Sequence, residues 1–374
     1  MTGRAIRVLH LRDSPWVDGP GRTILETASH IDPARVEYHI GVFVSGTGPH
    51  PMMESAVSRR VNVHAIPDER GVSIALQDRV LDLVDRLRID VLHTSDVRSN
   101  LLGLLCRRRR KMYLVSTAHG WITNTLRAKL FVLMDRILLR RFDRVVLVSH
   151  AMRRRLPRWW VPDSRLEVIH NALTLDSYGR DVLDVERRIP DPRRDVRLLN
   201  VGRLSPEKGQ ELLIQAVAGL TAEFPGLKLS FAGVGPLEAR LRAAAGAHGI
   251  AERVEFLGFV KDMPALYQDY DLVVQSSFTE GLPNVMLEVA YLGVPVVATD
   301  VGGTREVVNH DMSGWLVPPR SLAALQDGIR RYLADPESFV RMARVGRRKI
   351  ESEFSFVART EAQTRMYERL VGAI

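Results

Sequence analysis

What most constrains this chain is an order of elements that is written once and then started again. Ile6-Arg7-Val8-Leu9-His10-Leu11 is a short apolar run that leads to Asp18-Gly19-Pro20-Gly21, after which 22–31 has helical spacing. This reads as strand, glycine turn, helix. The same order recurs at Val196-Arg197-Leu198-Leu199-Asn200-Val201-Gly202, followed by a loop to Gly209 and helical spacing over 211–220. Between and after these starts, β-branched runs at 90–94, 113–117, 144–149, 227–232, 254–257, 271–275 and 294–298 alternate with helical segments. Such alternation predicts an α/β fold of parallel sheets with helices on both faces, and the restart near 196 predicts two sheets. A length of 374 residues also exceeds what one core usually organises. The charged stretch 181–195, with Pro190 and Pro192 and almost no apolar periodicity, reads as a linker. The expected domains are therefore 1–180 and 196–354, with a C-terminal helix over 355–374 packing back on the first. Ligands of open α/β sheets collect beyond the carboxyl ends of strands, so a cleft between two such sheets is the expected site.

One segment carries the clearest chemistry. In Thr279-Glu280-Gly281-Leu282-Pro283-Asn284-Val285-Met286-Leu287-Glu288, Gly281 can take backbone angles closed to other residues and Pro283 suits a helix start. Asn284 and Val285 then fall in a first turn, where backbone N–H groups and the positive helix end attract anions. Seven residues apart, Glu280 and Glu288 do not share a helical face, so the first belongs to the loop and the second to the helix. Such a pair can hold two ends of one anionic ligand; it can equally be a solvated loop carboxylate beside one that the helix dipole favours. Upstream, Gly202-Arg203-Leu204-Ser205-Pro206-Glu207-Lys208-Gly209 delivers two cations from a strand into a helix. Arg203 offers a planar fork of donors and Lys208 a mobile point charge, which suits a diphosphate whose negative charge grows as a bond to it breaks. The same residues are sound turn chemistry without any ligand.

Taken in order, Gly202-Arg203 with Lys208-Gly209, then Gly233-Val234-Gly235-Pro236-Leu237, then Glu280-Gly281-Leu282-Pro283 with Glu288, then Gly293-Val294-Pro295-Val296-Val297-Ala298 resemble the retaining glycosyltransferase family 4, which has the GT-B fold. The resemblance is densest over 198–318. In the first half it rests on Asp18-Gly19-Pro20-Gly21, Ser116-Thr117-Ala118-His119-Gly120, Val148-Ser149 and Val168-Ile169-His170-Asn171. It implies two Rossmann-like parallel-sheet domains facing across a cleft, the second binding a nucleotide-sugar donor, with UDP as the expected carrier. Arg203 and Lys208 would then hold the diphosphate, joined by Gly281, Leu282, Asn284 and Val285 at the helix start. Glu288 would meet the ribose, Glu280 the transferred sugar, and Gly258, Phe259 and Val260 the base. His119 corresponds to the first-domain histidine near sugar and acceptor and completes the catalytic pair with Glu280; Gly19 and Gly21 form the acceptor-side loop. The implied reaction retains anomeric configuration: departure and attack share one face of the sugar, and a diphosphate oxygen helps to take the proton of a saccharide or lipid-linked saccharide acceptor. The chain departs from the family pattern at Pro20, which separates two glycines usually adjacent, at Ala172 and at Val234.

No cofactor is expected, because the two cations make a divalent metal unnecessary. Asp269-Tyr270-Asp271 has a metal-binding spacing but lies at a helix end entering an apolar run, and a zinc pair of His93 with His119 lacks a third ligand. The net charge of +9 and pI near 10.0 call for an anionic partner. Cations cluster at Arg107-Arg108-Arg109-Arg110-Lys111, Arg140-Arg141 and Arg153-Arg154-Arg155. In the helical stretch 126–142, Lys129, Arg136 and Arg140 share a sector of about 40°, and Trp159 and Trp160 follow. That pattern suits an anionic membrane surface, or a core helix with one wet stripe and tryptophans buried at a domain edge. Nucleic acid is not expected, since no aromatic-basic recognition motif is present. The lone Cys106 and the lack of a spanning apolar window point to a cytoplasmic protein; the resemblance, with the basic clusters, adds a peripheral place at the cytoplasmic face of the membrane as an alternative to a freely cytoplasmic one. The competing readings are a GT-B nucleotide-sugar epimerase, which needs further acid and base residues in the first domain, and a non-catalytic basic protein binding a membrane surface or nucleic acid.

Overall fold

Thirteen strands form two sheets in the computed structural model, which describes residues 4–14, 17–45, 50–68, 71–121, 126–157, 160–175, 178, 189–191 and 195–372, with backbone alone at 126–128. The first sheet takes β1 (Ile6–Arg12), β2 (Val36–Val44), β3 (Asn62–Pro67), β4 (Val91–Thr94), β5 (Tyr113–Ala118), β6 (Arg144–Leu147) and β7 (Leu166–Val168), all parallel, in the order 3-2-1-4-5-6-7. The second takes β8 (Val196–Val201), β9 (Leu227–Ala232), β10 (Val254–Gly258), β11 (Leu272–Gln275), β12 (Val296–Thr299) and β13 (Trp315–Val317), also parallel, in the order 10-9-8-11-12-13. Val91, Leu92, Leu114, Val115, Leu272, Val273 and Val274 are all fully buried. Such continuous apolar strands are what a parallel sheet covered on both faces requires. The strands β2, β3, β7 and β13 were not singled out by the alternation alone: β3 ends in a proline, and β7 and β13 have three residues each.

The chain divides into a first unit of Met1–Ala172 with Phe356–Ile374 and a second of Leu173–Ser355. Most of the linker expected over 181–195 lies outside the described residues. The C-terminal helix Phe356–Val371 belongs to the first unit, where Met366 and Tyr367 are fully buried. Arg35 pairs there with Glu361 at 2.6 Å and Glu368 at 2.7 Å. Deeper in, the Tyr367 hydroxyl lies 2.5 Å from His93 Nδ1.

Two local departures from the expected pattern have identifiable causes. The first helix begins at Gly19, earlier than its apolar spacing predicts, because the Asp18 carboxylate accepts from Gly21 N at 2.8 Å and caps it. Pro20 fits that first turn, where a missing N–H costs nothing. Gly19 and Gly21 are therefore helical residues and not loop. The basic stripe of the helix Leu126–Leu139 is also corrected: Arg136 lies over the rings of Trp121 and Trp160, 5.0 and 5.7 Å from their centroids, so it is not presented outward with Lys129 and Arg140. Trp160 is buried and donates its Nε1–H to Arg136 O at 2.6 Å, which removes it from any headgroup role; Trp159 lies outside the described residues.

Candidate active site

In the second sheet the strand order reverses between β8 and β11, so the loops leaving their carboxyl ends run side by side. The loop after β8 passes through Gly202 (φ 150°), exposed Arg203 and a single tight turn, Pro206–Lys208. It ends at Gly209, whose φ of 64° opens the helix Gln210–Ala218; a Cβ there would stand 2.2 Å from Ser276 O, so only glycine fits. The loop after β11 is stitched to it by Ser276 Oγ donating to Lys208 O at 2.9 Å and Phe278 N donating to Glu207 O at 2.7 Å. These bonds bring Lys208 Nζ to 2.6 Å from Glu280 Oε1, an oxygen that also accepts from Ser277 Oγ at 2.7 Å. The two side chains are 23% and 11% exposed, enough shielding for the charges to be felt strongly by a third group placed beside them.

Past Glu280 the chain turns at buried Gly281, Leu282 and Pro283 into the helix Asn284–Tyr291. Pro283 is the N-cap and makes no side-chain cap hydrogen bond of its own, and the positive end of the helix lies at Asn284 and Val285. A third loop, following β12, backs this turn: Gly303 N donates to Gly281 O at 2.7 Å, and a Cβ on Gly302 would lie 1.9 Å from Glu280 O. One turn into the helix, Glu288 is buried and its Oε2 accepts from the Tyr267 hydroxyl at 2.9 Å. The turn Gly258-Phe259-Val260 closes the edge strand β10, with Gly258 at φ 65° accepting from Gly233 N at 2.7 Å and Phe259 76% exposed. Lys208 and Glu280 are thus in direct contact, whereas the 258–260 turn stands at the sheet edge, with β9 between β10 and β8. Ser277, Tyr267 and Gly302 escaped the sequence reading. A serine three residues before Glu280 was the one local signal; Tyr267 reads as an ordinary apolar core position.

In the first unit His119 follows β5, ahead of Gly120 at φ 144°. Both ring nitrogens are buried without a hydrogen-bond partner among the described residues. Burial, and then the charges of Arg12 and Arg359 and the neighbouring His93, hold its pKa well below the usual histidine value. It is therefore a neutral imidazole near neutral pH, with one N–H and one lone pair to offer. Arg12 ends β1 and is bound to Asp18 at 2.7 Å, the same carboxylate that caps the Gly19 helix. His93 is committed elsewhere, between the Tyr367 hydroxyl and Thr117 Oγ1 at 2.8 Å, which leaves it unsuited to share a zinc ion with His119. Asp271 is buried and accepts from Arg197 N at 2.8 Å, a structural use of that carboxylate.

Residues 17–177 match the family described as glycosyltransferase family 4, and residues 184–349 match glycosyl transferases group 1. The chain belongs to glycosyltransferase family 4. Two curated relatives illustrate the range of this family 4 enzyme's kin. Glycogen synthase of Mycobacterium tuberculosis is 28% identical over 291 residues, covering 75% of this chain and 69% of that protein. GDP-mannose-dependent alpha-(1-6)-phosphatidylinositol monomannoside mannosyltransferase of the same species is 30% identical over 224 residues, covering 57% and 58%. Among solved structures, Anabaena Alr3699/HepE in complex with UDP-glucose superposes with a TM-score of 0.83 at 21% identity, over 97% of this chain and 100% of that one. That likeness shows the GT-B fold, and this family 4 glycosyltransferase carries both of its parallel-sheet domains.

Proposed function

We propose that this glycosyltransferase moves a hexosyl group from a UDP-sugar to a saccharide or lipid-linked saccharide, with retention of anomeric configuration. The observation that carries the reading is the Lys208–Glu280 contact at the switch point of the second sheet, 2.6 Å long and next to the start of the helix Asn284–Tyr291. Arg203 and Lys208 hold the diphosphate, and the turn Gly281, Leu282, Asn284 and Val285 adds backbone amides and the positive helix end. As the sugar leaves, the growing negative charge meets cations already in place, which is how preorganised electrostatics lowers a barrier. Glu280, tethered by Ser277, stands where a sugar develops positive charge. Glu288 takes the ribose hydroxyls, and the base lies on the turn Gly258, Phe259 and Val260, where exposed Phe259 offers an aromatic face. His119 supplies a neutral donor and acceptor on the acceptor side, beside the Gly19 and Gly21 helix start. Departure and attack on one sugar face, with a diphosphate oxygen taking the acceptor proton, use no metal step.

The UDP-glucose bound to Anabaena Alr3699/HepE supports a UDP carrier, and the phosphatidylinositol monomannoside in the name of the mycobacterial relative supports a lipid-linked acceptor. A thermal-shift panel of UDP-, GDP- and ADP-sugars tests the donor: a saturating UDP-sugar raises the melting temperature by mass action, and the others do so less. Product anomers read by NMR then test retention. A melting temperature that responds to GDP- or ADP-sugars instead replaces the carrier, and an inverted product removes the one-face mechanism. Glu280→Ala is expected to keep UDP binding while losing turnover.

A further inference from the structure

The helix Leu126–Leu139 of the first unit buries Leu139 and, beside it, its one carboxylate, while a second apolar stripe is left at the surface. Its acidic residue, Asp135, is buried, accepting from Asn100 Nδ2 at 2.6 Å and Trp121 Nε1 at 2.9 Å, and burial pushes its pKa up. Its apolar residues Leu130, Leu133, Met134 and Ile137 are instead between 37% and 66% exposed. Their spacing of i, i+3, i+4 and i+7 makes one continuous stripe, with Phe131 exposed beside it. A surface helix ordinarily turns such a stripe toward the core and its charges toward water.

Cations border the stripe. Lys129 and Arg140, both exposed, fall on one flank at 100° per residue, and exposed Arg141 follows the helix. Arg107 ties that end of the helix to a second feature, pairing with Asp143 at 3.0 Å and donating to Arg141 O. Asp143 lines a groove of about 1000 Å³ under the amino ends of β1, β4, β5 and β6. The groove sets five cations, Arg4, Arg88, Arg107, Arg110 and Lys111, against two carboxylates, Asp90 and Asp143. Arg4 pairs with Asp90 and Arg110 with Asp85, while Arg88 and Lys111 have no carboxylate partner among the described residues. Because the helix joins the carboxyl end of β5 to the amino end of β6, it runs from the end of the sheet that carries His119 down to this groove.

We propose that this apolar ridge, with the basic groove at its foot, is a docking surface for an anionic lipid bilayer. A helix of 14 residues, about 21 Å long, can lie flat with Leu130, Leu133, Met134 and Ile137 in the boundary between headgroups and acyl chains. Lys129, Arg140, Arg141, Arg88 and Lys111 then meet anionic headgroups. A second copy is a poor occupant, because a two-fold contact on this face would set like charges against one another. The surface deepens the lipid-linked acceptor reading, yet its test is independent of catalysis.

The test is co-sedimentation of the full chain with vesicles of phosphatidylcholine alone and of phosphatidylcholine mixed with phosphatidylglycerol. The protein should pellet with the mixed vesicles at low salt, stay in solution with phosphatidylcholine alone, and be released as salt screens the cations. Removing Arg88 and Lys111 together, as Arg88→Gln with Lys111→Gln, should weaken partition by about fivefold per cation. Leu133→Gln with Ile137→Gln should weaken it further, with the thermal shift produced by UDP unchanged as evidence of an intact second unit. Wild-type protein left in the supernatant with both vesicles overturns the docking surface without touching the donor site. Binding that ignores the Leu133 and Ile137 changes also overturns it, and a dimer that these changes dissociate assigns the ridge to a second copy instead.

Discussion

Lys208 and Glu280, separated by 72 residues in sequence, share a 2.6 Å ion pair at the carboxyl ends of β8 and β11. Each neutralises the other until an anion arrives. A diphosphate beside Lys208 would draw on that cation and leave Glu280, still held by Ser277, to face the sugar. Lys208→Ala should therefore lower kcat/KM for the donor by about tenfold to a hundredfold, the range for one charge-assisted bond. Steady-state kinetics checks it, and an unchanged kcat/KM would remove Lys208 from the site.

The Tyr267 hydroxyl donates to Glu288 Oε2 in a buried bond of 2.9 Å. Tyr267→Phe keeps the ring and its packing but deletes the donor, so the carboxylate gains freedom to turn. UDP affinity measured by calorimetry should fall by about threefold to tenfold, corresponding to one ordinary hydrogen bond. A nucleotide lacking the ribose hydroxyls should be bound equally well by wild type and variant; a loss shared by both ligands would mean a purely structural tyrosine.

Gly302 is forced to be glycine twice over, by a φ of 54° and by Glu280 O, which a Cβ would approach to 1.9 Å. Gly302→Ala should cost about 1–3 kcal/mol from the backbone alone and push the Glu280 loop off the Lys208 loop. Chemical denaturation together with UDP binding reads both effects. An alanine variant as stable and as tight-binding as wild type would contradict the close approach.

His93 is buried between Tyr367 and Thr117, stacked on His10 at 4.1 Å, and burial followed by the Arg359 charge lowers its pKa to about 3. The unfolded chain protonates this histidine near its ordinary value of about 6.5, so between about pH 6.5 and about pH 3 the unfolded state binds a proton that the folded state refuses. Stability is full above that window and falls through it by about 1.4 kcal/mol per pH unit for this group. His10, also lowered by burial, adds to the same slope. Urea titrations at stepped pH check it, and stability that holds flat from neutral pH into the acid range would refute the buried neutral pair.

Features that depend on neighbours along the chain are legible in the order of residues. Alternating β-branched and helical segments settled an α/β fold restarted near 196, and the motifs around Gly202, Gly233 and Glu280 named the family that residues 17–177 and 184–349 match. Gly281 and Pro283 marked a loop entering a helix, and the helix begins at Asn284. Tertiary structure alone decided the rest, because strand order and facing are set by which apolar surfaces bury one another over long separations. Only the pairing of β8 with β11 puts Lys208 against Glu280, and only packing reveals that Tyr267 serves Glu288. The helix Leu126–Leu139 makes the limit plain: a periodic stripe reads the same whether it points inward or outward, and here Asp135 is buried with Asn100 and Trp121 while Leu130, Leu133, Met134 and Ile137 lie at the surface.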